Sequence, residues 1–411
     1  MKNYPVEYKS SDNRKNTAGN AAIDYRTRKN SLLSNRTCLN FLALLCSTLV
    51  YNISNLLFFV LKSIFSSKKS IKLKRMIILG FGGIGNHLML DPAIRCLKIA
   101  YPELIIHIVT SSNACAEVLK NNPNISSLSV MNISNMINLS DYFHAGKALK
   151  LKKPDAVLAA SGMNPVAGSW ISFLSRAPIR IGEDWKGRGF LYTHKMKINS
   201  LLSEVERNLA LIKLLGISTR IISPKLYLTK DEIDEARKWL SKFKIPAGTK
   251  LLGIHPGSSK KQEWKRWGIE KFAEVAKKIA KIRKVRSIFF FGPEESDLME
   301  VIEKAGIDSA IIVKGKGSIR KTAAIISCCH LFLSNDSGLR HIAGALGVRT
   351  VGIFGPTSVV KNHFGGETHK IILKKNVLCS PCHYTRWWLS CGGERPCLRL
   401  VSADKVVNLL L

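Results

Sequence analysis

Apolar residues along this chain fall into two alternating series of short runs and amphipathic stretches, joined by a more polar segment at 222–248. The first series opens with the run Met76-Ile77-Ile78-Leu79 and continues with a helical period at 92–100, a strand at 104–109, a helix at 114–120 and a strand at 156–159. The second places strands at 251–255, 287–291, 310–313, 331–334 and 350–354 between helices at 269–283, 295–305, 320–328 and 338–346. Continuously apolar strands alternating with helices build parallel sheets covered on both faces. The joint holds an amphipathic helix at 230–243, bounded by Pro224 and Pro246. No sequence repeat links the halves, so they share architecture only.

Upstream the pattern changes. Residues 1–36 are polar and basic with no apolar period, which predicts a disordered tail. Residues 37–61 carry no charge and are followed by Lys62, Lys68, Lys69, Lys72, Lys74 and Arg75. That segment lies too far from the start, with no small-residue cleavage site behind it, to be an ordinary signal peptide. Its length suits a spanning helix, while Asn40, Ser47, Thr48, Asn52, Ser54 and Asn55 suit an interfacial one; both remain open. The expected organisation is a tail (1–36), a membrane-associating segment (37–70), an N-terminal Rossmann-like domain (71–225), a linker with its helix (226–250) and a C-terminal Rossmann-like domain with a Cys-rich tail (251–411).

Length and a hydrophobic content of 46% over 411 residues supply a core for each domain and exclude a disordered or fibrous chain. The balance of 63 Lys+Arg against 29 Asp+Glu, a net +34, draws anionic partners. No basic run is interleaved with aromatics, which argues against nucleic acid and for an anionic membrane surface. Cys38, Cys46, Cys96, Cys115, Cys328 and Cys329 show no ligand spacing and read as small buried apolar residues in a reducing compartment. Cys379, Cys382, Cys391 and Cys397 combine one C-x-x-C pair with two separated thiols, leaving a structural zinc or disulfides open.

Four turns carry candidate chemistry. Gly80-Phe81-Gly82-Gly83-Ile84-Gly85 satisfies G-x-G-x-x-G, yet Val109 is followed by Thr110-Ser111-Ser112-Asn113 where a dinucleotide fold needs a ribose-binding acid. This argues against NAD and leaves Gly83 and Gly85 as a turn that a ligand approaches closely. Ser334-Asn335-Asp336-Ser337-Gly338 ends a strand and opens a helix carrying His341, where unpaired N–H groups and the dipole favour a diphosphate. Gly338 permits approach, Ser337 offers a hydroxyl, and Asp336 either caps the helix or takes a ribose hydroxyl. His255-Pro256-Gly257-Ser258, followed by Lys265, Arg266 and Trp267, repeats the order of strand, glycine, hydroxyl and cation. Glu294 or Glu295, behind Phe291-Gly292-Pro293 at another strand end, is a candidate partner for ribose hydroxyls.

Taken in order, Gly83-Ile84-Gly85-Asn86 with Pro92-Ala93, His255-Pro256-Gly257 with Lys265-Arg266-Trp267, Asn335-Asp336-Ser337-Gly338 with His341, and Phe354-Gly355-Pro356-Thr357 resemble glycosyltransferase family 9. Its best-known members are ADP-heptose:lipopolysaccharide heptosyltransferases. The resemblance implies a GT-B fold, with two Rossmann-like parallel-sheet domains facing across a cleft, and an ADP-sugar held mainly by the C-terminal domain. It implies inverting transfer without cofactor or metal to the lipopolysaccharide inner core, or to another lipid-linked glycan, at the cytoplasmic face of the bacterial inner membrane. Lys265 and the helix N–H groups at Ser337 and Gly338 would then stabilise the departing diphosphate. Many members carry Asp after the last glycine of the first loop; this chain has Asn86, which cannot accept a proton at neutral pH. The sequence leaves Asp91 as the expected base and His87 as its alternative, with a dispensable base, or a nucleotide-sugar-binding protein of lost or altered catalysis, as the competing readings.

Overall fold

The computed structural model describes residues 73–411 except 132–138, 308–309, 316, 363–367, 384, 386–387 and 389. The expectations for 1–36 and 37–61 therefore lie outside the described residues. Two six-stranded parallel sheets dominate the rest, with helices packed on their faces. The first contains β1 (Arg75–Leu79), β2 (Ile105–Thr110), β3 (Ser127–Val130), β4 (Ala156–Ala159), β5 (Ile179–Asp184) and β6 (His194–Lys197) in the order β3-β2-β1-β4-β5-β6. The second contains β7 (Lys250–His255), β8 (Val285–Phe291), β9 (Ile311–Lys314), β10 (Leu331–Asn335), β11 (Arg349–Phe354) and β12 (His369–Leu373) in the order β12-β11-β10-β7-β8-β9. Counted from its own first strand, each sheet has the doubly wound order 3-2-1-4-5-6. The fold is α/β, as expected.

The central strands are buried on both faces, which is why they are apolar without alternation: Met76 to Leu79 and Leu252 to Ile254 are inaccessible. The strands the hydrophobic pattern did not reveal stand toward the sheet margins. β3 (Ser-Leu-Ser-Val) and β6 (His-Lys-Met-Lys) are half exposed and need no apolar run. The helices are α1 (Ile84–Leu88), α2 (Asp91–Ala100), α3 (Asn113–Leu119), α4 (Leu139–Lys150), α5 (Pro165–Leu174), α6 (Glu204–Lys213), α7 (Lys230–Ser241), α8 (Ile269–Ile282), α9 (Ser296–Lys304), α10 (Ile319–Ser327), α11 (Gly338–Ala345), α12 (Val359–Asn362), α13 (Pro396–Arg399) and α14 (Ala403–Leu410). In α8 the buried positions Ile269, Phe272, Ala273, Val275, Ala276 and Ile279 form one helical stripe. Phe272 at its centre is fully enclosed, so its truncation to Ala would cost about 3–5 kcal/mol.

The two halves meet along a polar seam. Arg320, at the start of α10, donates to the carbonyls of Glu117 at 2.8 Å and Lys120 at 3.2 Å in the first half, to Tyr227 in the joint at 2.7 Å, and to both carboxylate oxygens of Glu232 on α7. The Glu117 carboxylate in turn accepts from Ser318 Oγ at 2.6 Å and Ile319 N at 3.1 Å. Among the described residues no helix is long and apolar enough to cross a membrane.

Candidate active site

In a doubly wound sheet the strand order reverses between the first and fourth strands, and the gap beyond their carboxyl ends is where ligands bind. Here those positions are the ends of β1 and β4 in one half and of β7 and β10 in the other. The sequence-derived loops fall on them: Gly80–Gly85 follows β1, His255-Pro256-Gly257-Ser258 ends β7, and Asn335-Asp336-Ser337 ends β10.

Asn335 fastens the second pair together. It is fully buried, accepts from Trp267 N at 3.0 Å and donates through Nδ2 to Pro256 O at 2.6 Å and Gly257 O at 3.3 Å. Arg266 holds the same turn from outside, with Nη2 donating to Ser258 O at 3.1 Å and Nε to Ser258 Oγ at 3.3 Å. Ser258 Oγ donates to Gln262 O at 2.9 Å, so this hydroxyl serves its own loop. Gly257 is needed for a reason the sequence did not show: a Cβ there would lie 2.0 Å from Oε1 of Glu295.

His255 bridges Ser337 Oγ at 2.9 Å through Nδ1 and the Glu295 carboxylate at 3.3 Å through Nε2. Both ring nitrogens are thus engaged, and the Ser337 hydroxyl expected as a donor is tied to His255. Burial would push the Glu295 carboxyl up, but the His255 imidazole, the Gly292 amide at 2.7 Å and nearby Arg266 outweigh it and leave it below the ordinary value. Glu295 is buried beneath the turn with Oε2 bonded to His255 and the Gly292 amide, whereas Glu294 is exposed. Of the two candidates for the ribose partner, Glu295 braces the turn through Oε2 and Glu294 faces solvent.

Asp336 neither caps α11 nor projects alone. Its carboxylate, buried, lies 3.3 Å from Lys265 Nζ, 3.7 Å from Arg340 Nη2 and 4.0 Å from His341 Nε2, and accepts from Asn362 Nδ2 at 2.9 Å. Burial raises its pKa, but Lys265, Arg340 and His341 more than compensate and hold it ionised below its usual range. Lys265 is thereby aimed at the N-terminus of α11, with Ser337 and Gly338 beside it. Cation, dipole and small residues converge on the same spot, the arrangement a phosphate requires.

The first half supplies the opposite wall. Gly85 faces His341 and Gly338 faces Ile84, so the glycine loop abuts the start of α11. Gly83 has open space beside its Cα, and its N–H donates to Asn86 Oδ1 at 3.0 Å. Asn86 Nδ2 donates to Glu204 Oε2, at 2.6 Å; Glu204 is the first residue of α6 and was not among the sequence candidates. The other Glu204 oxygen, Oε1, is buried, accepts no hydrogen bond and lies 3.8 Å from Lys361 Nζ of the second half.

Two expectations are corrected here. Asp91 is wholly buried with its acceptor positions taken by Arg95 Nε at 2.8 Å, Lys225 N at 2.9 Å and Asn122 Nδ2 at 2.9 Å. It ties α2 to the joint and shares no partner with the β7 and β10 loops. His87 is also fully buried, bonded through Nδ1 to Gly83 O at 2.9 Å and packed under Gly80. It supports the loop from behind.

In the tail, His383 and Trp388 gather against Trp264, with ring centroids 4.6 and 4.5 Å from it, beside Lys265, whose ammonium lies 5.5 Å from the Trp264 ring. Burial, helped by the charges of Lys265 and Lys361, lowers His383 to about 4. The four tail cysteines are free, and burial with the neighbouring Cys379, Cys382 and Cys391 pushes the Cys397 thiol up to about 11. No group of three or more possible ligands is placed to hold a metal ion among the described residues, so the zinc expectation finds no ligand set.

Residues 142–386 match glycosyltransferase family 9 (heptosyltransferase). The chain belongs to that family. Over 164 residues it is 30% identical to lipooligosaccharide heptosyltransferase 2 of Campylobacter jejuni subsp. jejuni serotype O:6, a stretch covering 39% of this chain. The chain spans 50% of the length of that relative. The fold is similar to that of the E. coli ADP-heptose lps heptosyltransferase II, at 19% identity and a TM-score of 0.66 over 82% of this chain and 97% of the other. It is also similar to E. coli heptosyltransferase WaaC solved with ADP, at 19% identity and a TM-score of 0.61 over 82% of this chain and 98% of that one. The family 9 assignment and these folds agree with the two-domain architecture expected from the motifs.

Proposed function

We propose that this family 9 chain transfers a heptose from an ADP-sugar to the inner core of lipopolysaccharide, by inverting displacement and without a metal. The observation that carries the reading is the convergence of Lys265, held 3.3 Å from Asp336, with the N-terminus of α11 at the β7–β10 switch point. As the bond from the anomeric carbon to the diphosphate breaks, the leaving oxygen gathers negative charge, and donors fixed in place beforehand stabilise it with little reorganisation. A neighbouring fold solved with ADP supports the choice of nucleotide. The glycine loop of the first half, abutting His341, leaves the acceptor to approach from that side.

The test is acceptor-dependent release of ADP from ADP-heptose on a truncated inner-core lipopolysaccharide, with and without EDTA. Release unaffected by EDTA is expected. Tight ADP binding with no release on any inner-core acceptor would instead favour the binding-only reading that Asn86 motivates. The net charge of +34 and the uncharged stretch at 37–61 support action at the cytoplasmic face of the inner membrane, where lipid phosphates lie. Flotation of the full chain with anionic vesicles, and its loss when residues 1–72 are removed, is the expected outcome.

A further inference from the structure

Resting on the transfer reading, we propose that Glu204 is the general base that takes the proton from the acceptor hydroxyl, with Asn86 as the residue that positions it. Four observations lead there. Glu204 lies at the β1–β4 switch point of the first half, where its Oε1 borders the bare Cα of Gly162, just beyond β4: a Cβ at that glycine would stand 3.2 Å from the oxygen. The carboxylate is 2% exposed, yet one of its two oxygens accepts no hydrogen bond, an arrangement a buried carboxylate does not keep without cause. Asn86 donates to the other oxygen at 2.6 Å, which fixes the plane of the carboxylate and leaves Oε1 as the proton acceptor.

The fourth observation is the connection to the donor cradle. Asn86 follows Gly85, which packs against His341, and Lys361, 3.8 Å from Oε1, precedes Asn362, which donates to Asp336 at 2.9 Å. Glu204 is therefore tied to both walls of the cleft. The charged groups that face it are Lys361 from α12, Arg207 from its own helix and Glu183 from β5, the last of these held by Arg207. Burial raises its pKa against the opposing pull of Lys361, Arg207 and Asn86, toward the range in which a base is both ionised and basic at working pH.

In the step, the acceptor O–H proton moves to Oε1 as the acceptor oxygen bonds the anomeric carbon. The anomeric carbon–oxygen bond to the diphosphate breaks, and the ADP departs with that electron pair. Lys361, a partly exposed side chain, must yield its place over Oε1 to the incoming hydroxyl. Glu204 then returns its proton to solvent.

The experiment compares wild type, Glu204→Gln, Asn86→Asp and the double variant Asn86→Asp/Glu204→Gln in acceptor-dependent ADP release, with ADP affinity measured separately. Gln keeps the shape and an acceptor for Asn86 Nδ2, so Glu204→Gln is expected to fold and bind ADP as wild type does while kcat falls about 10²–10⁴-fold. The acidic limb of the kcat–pH profile should disappear with it. The double variant exchanges acid and amide across one hydrogen bond and should recover at least about tenfold of the lost rate, which a merely structural role would not produce. Wild-type turnover with Glu204→Gln within about threefold of it overturns the proposal and leaves the transfer reading standing. Wild type that binds ADP but releases none on any acceptor overturns both.

Discussion

Gly85 and His341 pack against each other across the two halves, and a methyl group on the Gly85 Cα would lie 2.6 Å from Cδ2 of the imidazole. No other residue type fits there without moving His341 away from Asp336. Gly85→Ala should therefore destabilise the fold by about 1–3 kcal/mol through overpacking and weaken ADP binding in calorimetry. Gly83, two residues earlier, has nothing within 4 Å of its Cβ position and a negative φ, so Gly83→Ala should cost no more than about 1 kcal/mol. Equal losses in the two variants would show that the seam yields more readily than its packing implies.

Asn335 fills its hydrogen-bonding capacity with backbone groups from two other segments. Asn335→Ala strands the Trp267 amide and the Pro256 carbonyl inside the protein, at about 1–3 kcal/mol of folding stability. Because those groups hold the His255–Ser258 turn, donor affinity should fall in parallel. Urea unfolding and ADP titration of one sample check both; loss of affinity without loss of stability would contradict the bracing role.

Two buried carboxylates give the stability curve limbs of opposite sign. Asp336 is held below its ordinary value by Lys265, Arg340 and His341, so its contribution is present above pH 3.8 and is lost as pH falls through the folded pKa. Glu204 is held above its ordinary value by burial, so its contribution is full below pH 4.5 and fades as pH rises through the folded pKa. Glu204→Gln should thus raise the melting temperature relative to wild type, by a margin that grows from pH 4 to pH 8. Asp336→Asn should flatten the acid limb. A Glu204→Gln margin that shrinks as pH rises would mean that Lys361 and Arg207 dominate the carboxylate.

The meeting of the β7 and β10 loops was legible because their residues sit at strand ends in a recognisable order: small residues, then cations. What escaped was set by contacts between distant segments. Glu204 follows Ser203 in a capping box with Glu206, so in the sequence it reads as an ordinary acidic first-turn residue. Only the fold brings it within 2.6 Å of Asn86, 118 positions earlier. Asp91 misled for the complementary reason: it sits beside the glycine loop in sequence, but its side chain turns to Arg95, Asn122 and Lys225. The marginal strands β3 and β6 stayed hidden because half-exposed strands need no apolar run.

Arg320 offers the most direct test of how the halves are held. Its guanidinium serves two carbonyls of the first half, one of the joint and both oxygens of Glu232, a pattern that depends on five fixed N–H groups in a plane. Lys keeps the charge but offers three donors on a single atom, so Arg320→Lys must abandon acceptors that are buried with it, at about 3 kcal/mol. Glu232, which the Arg320 hydrogen bonds hold at about 2, should then titrate closer to its ordinary 4.5. Its stabilising contribution is present above pH 4.5 and is lost as pH falls toward 2, so the variant should lose part of the acid dependence that wild type shows in that window. Arg320 is outside both loop pairs, so under the transfer reading ADP affinity should stay near the wild-type value while kcat declines as the first half shifts against the second. A variant that loses ADP affinity as much as kcat would place Arg320 in support of the donor cradle instead.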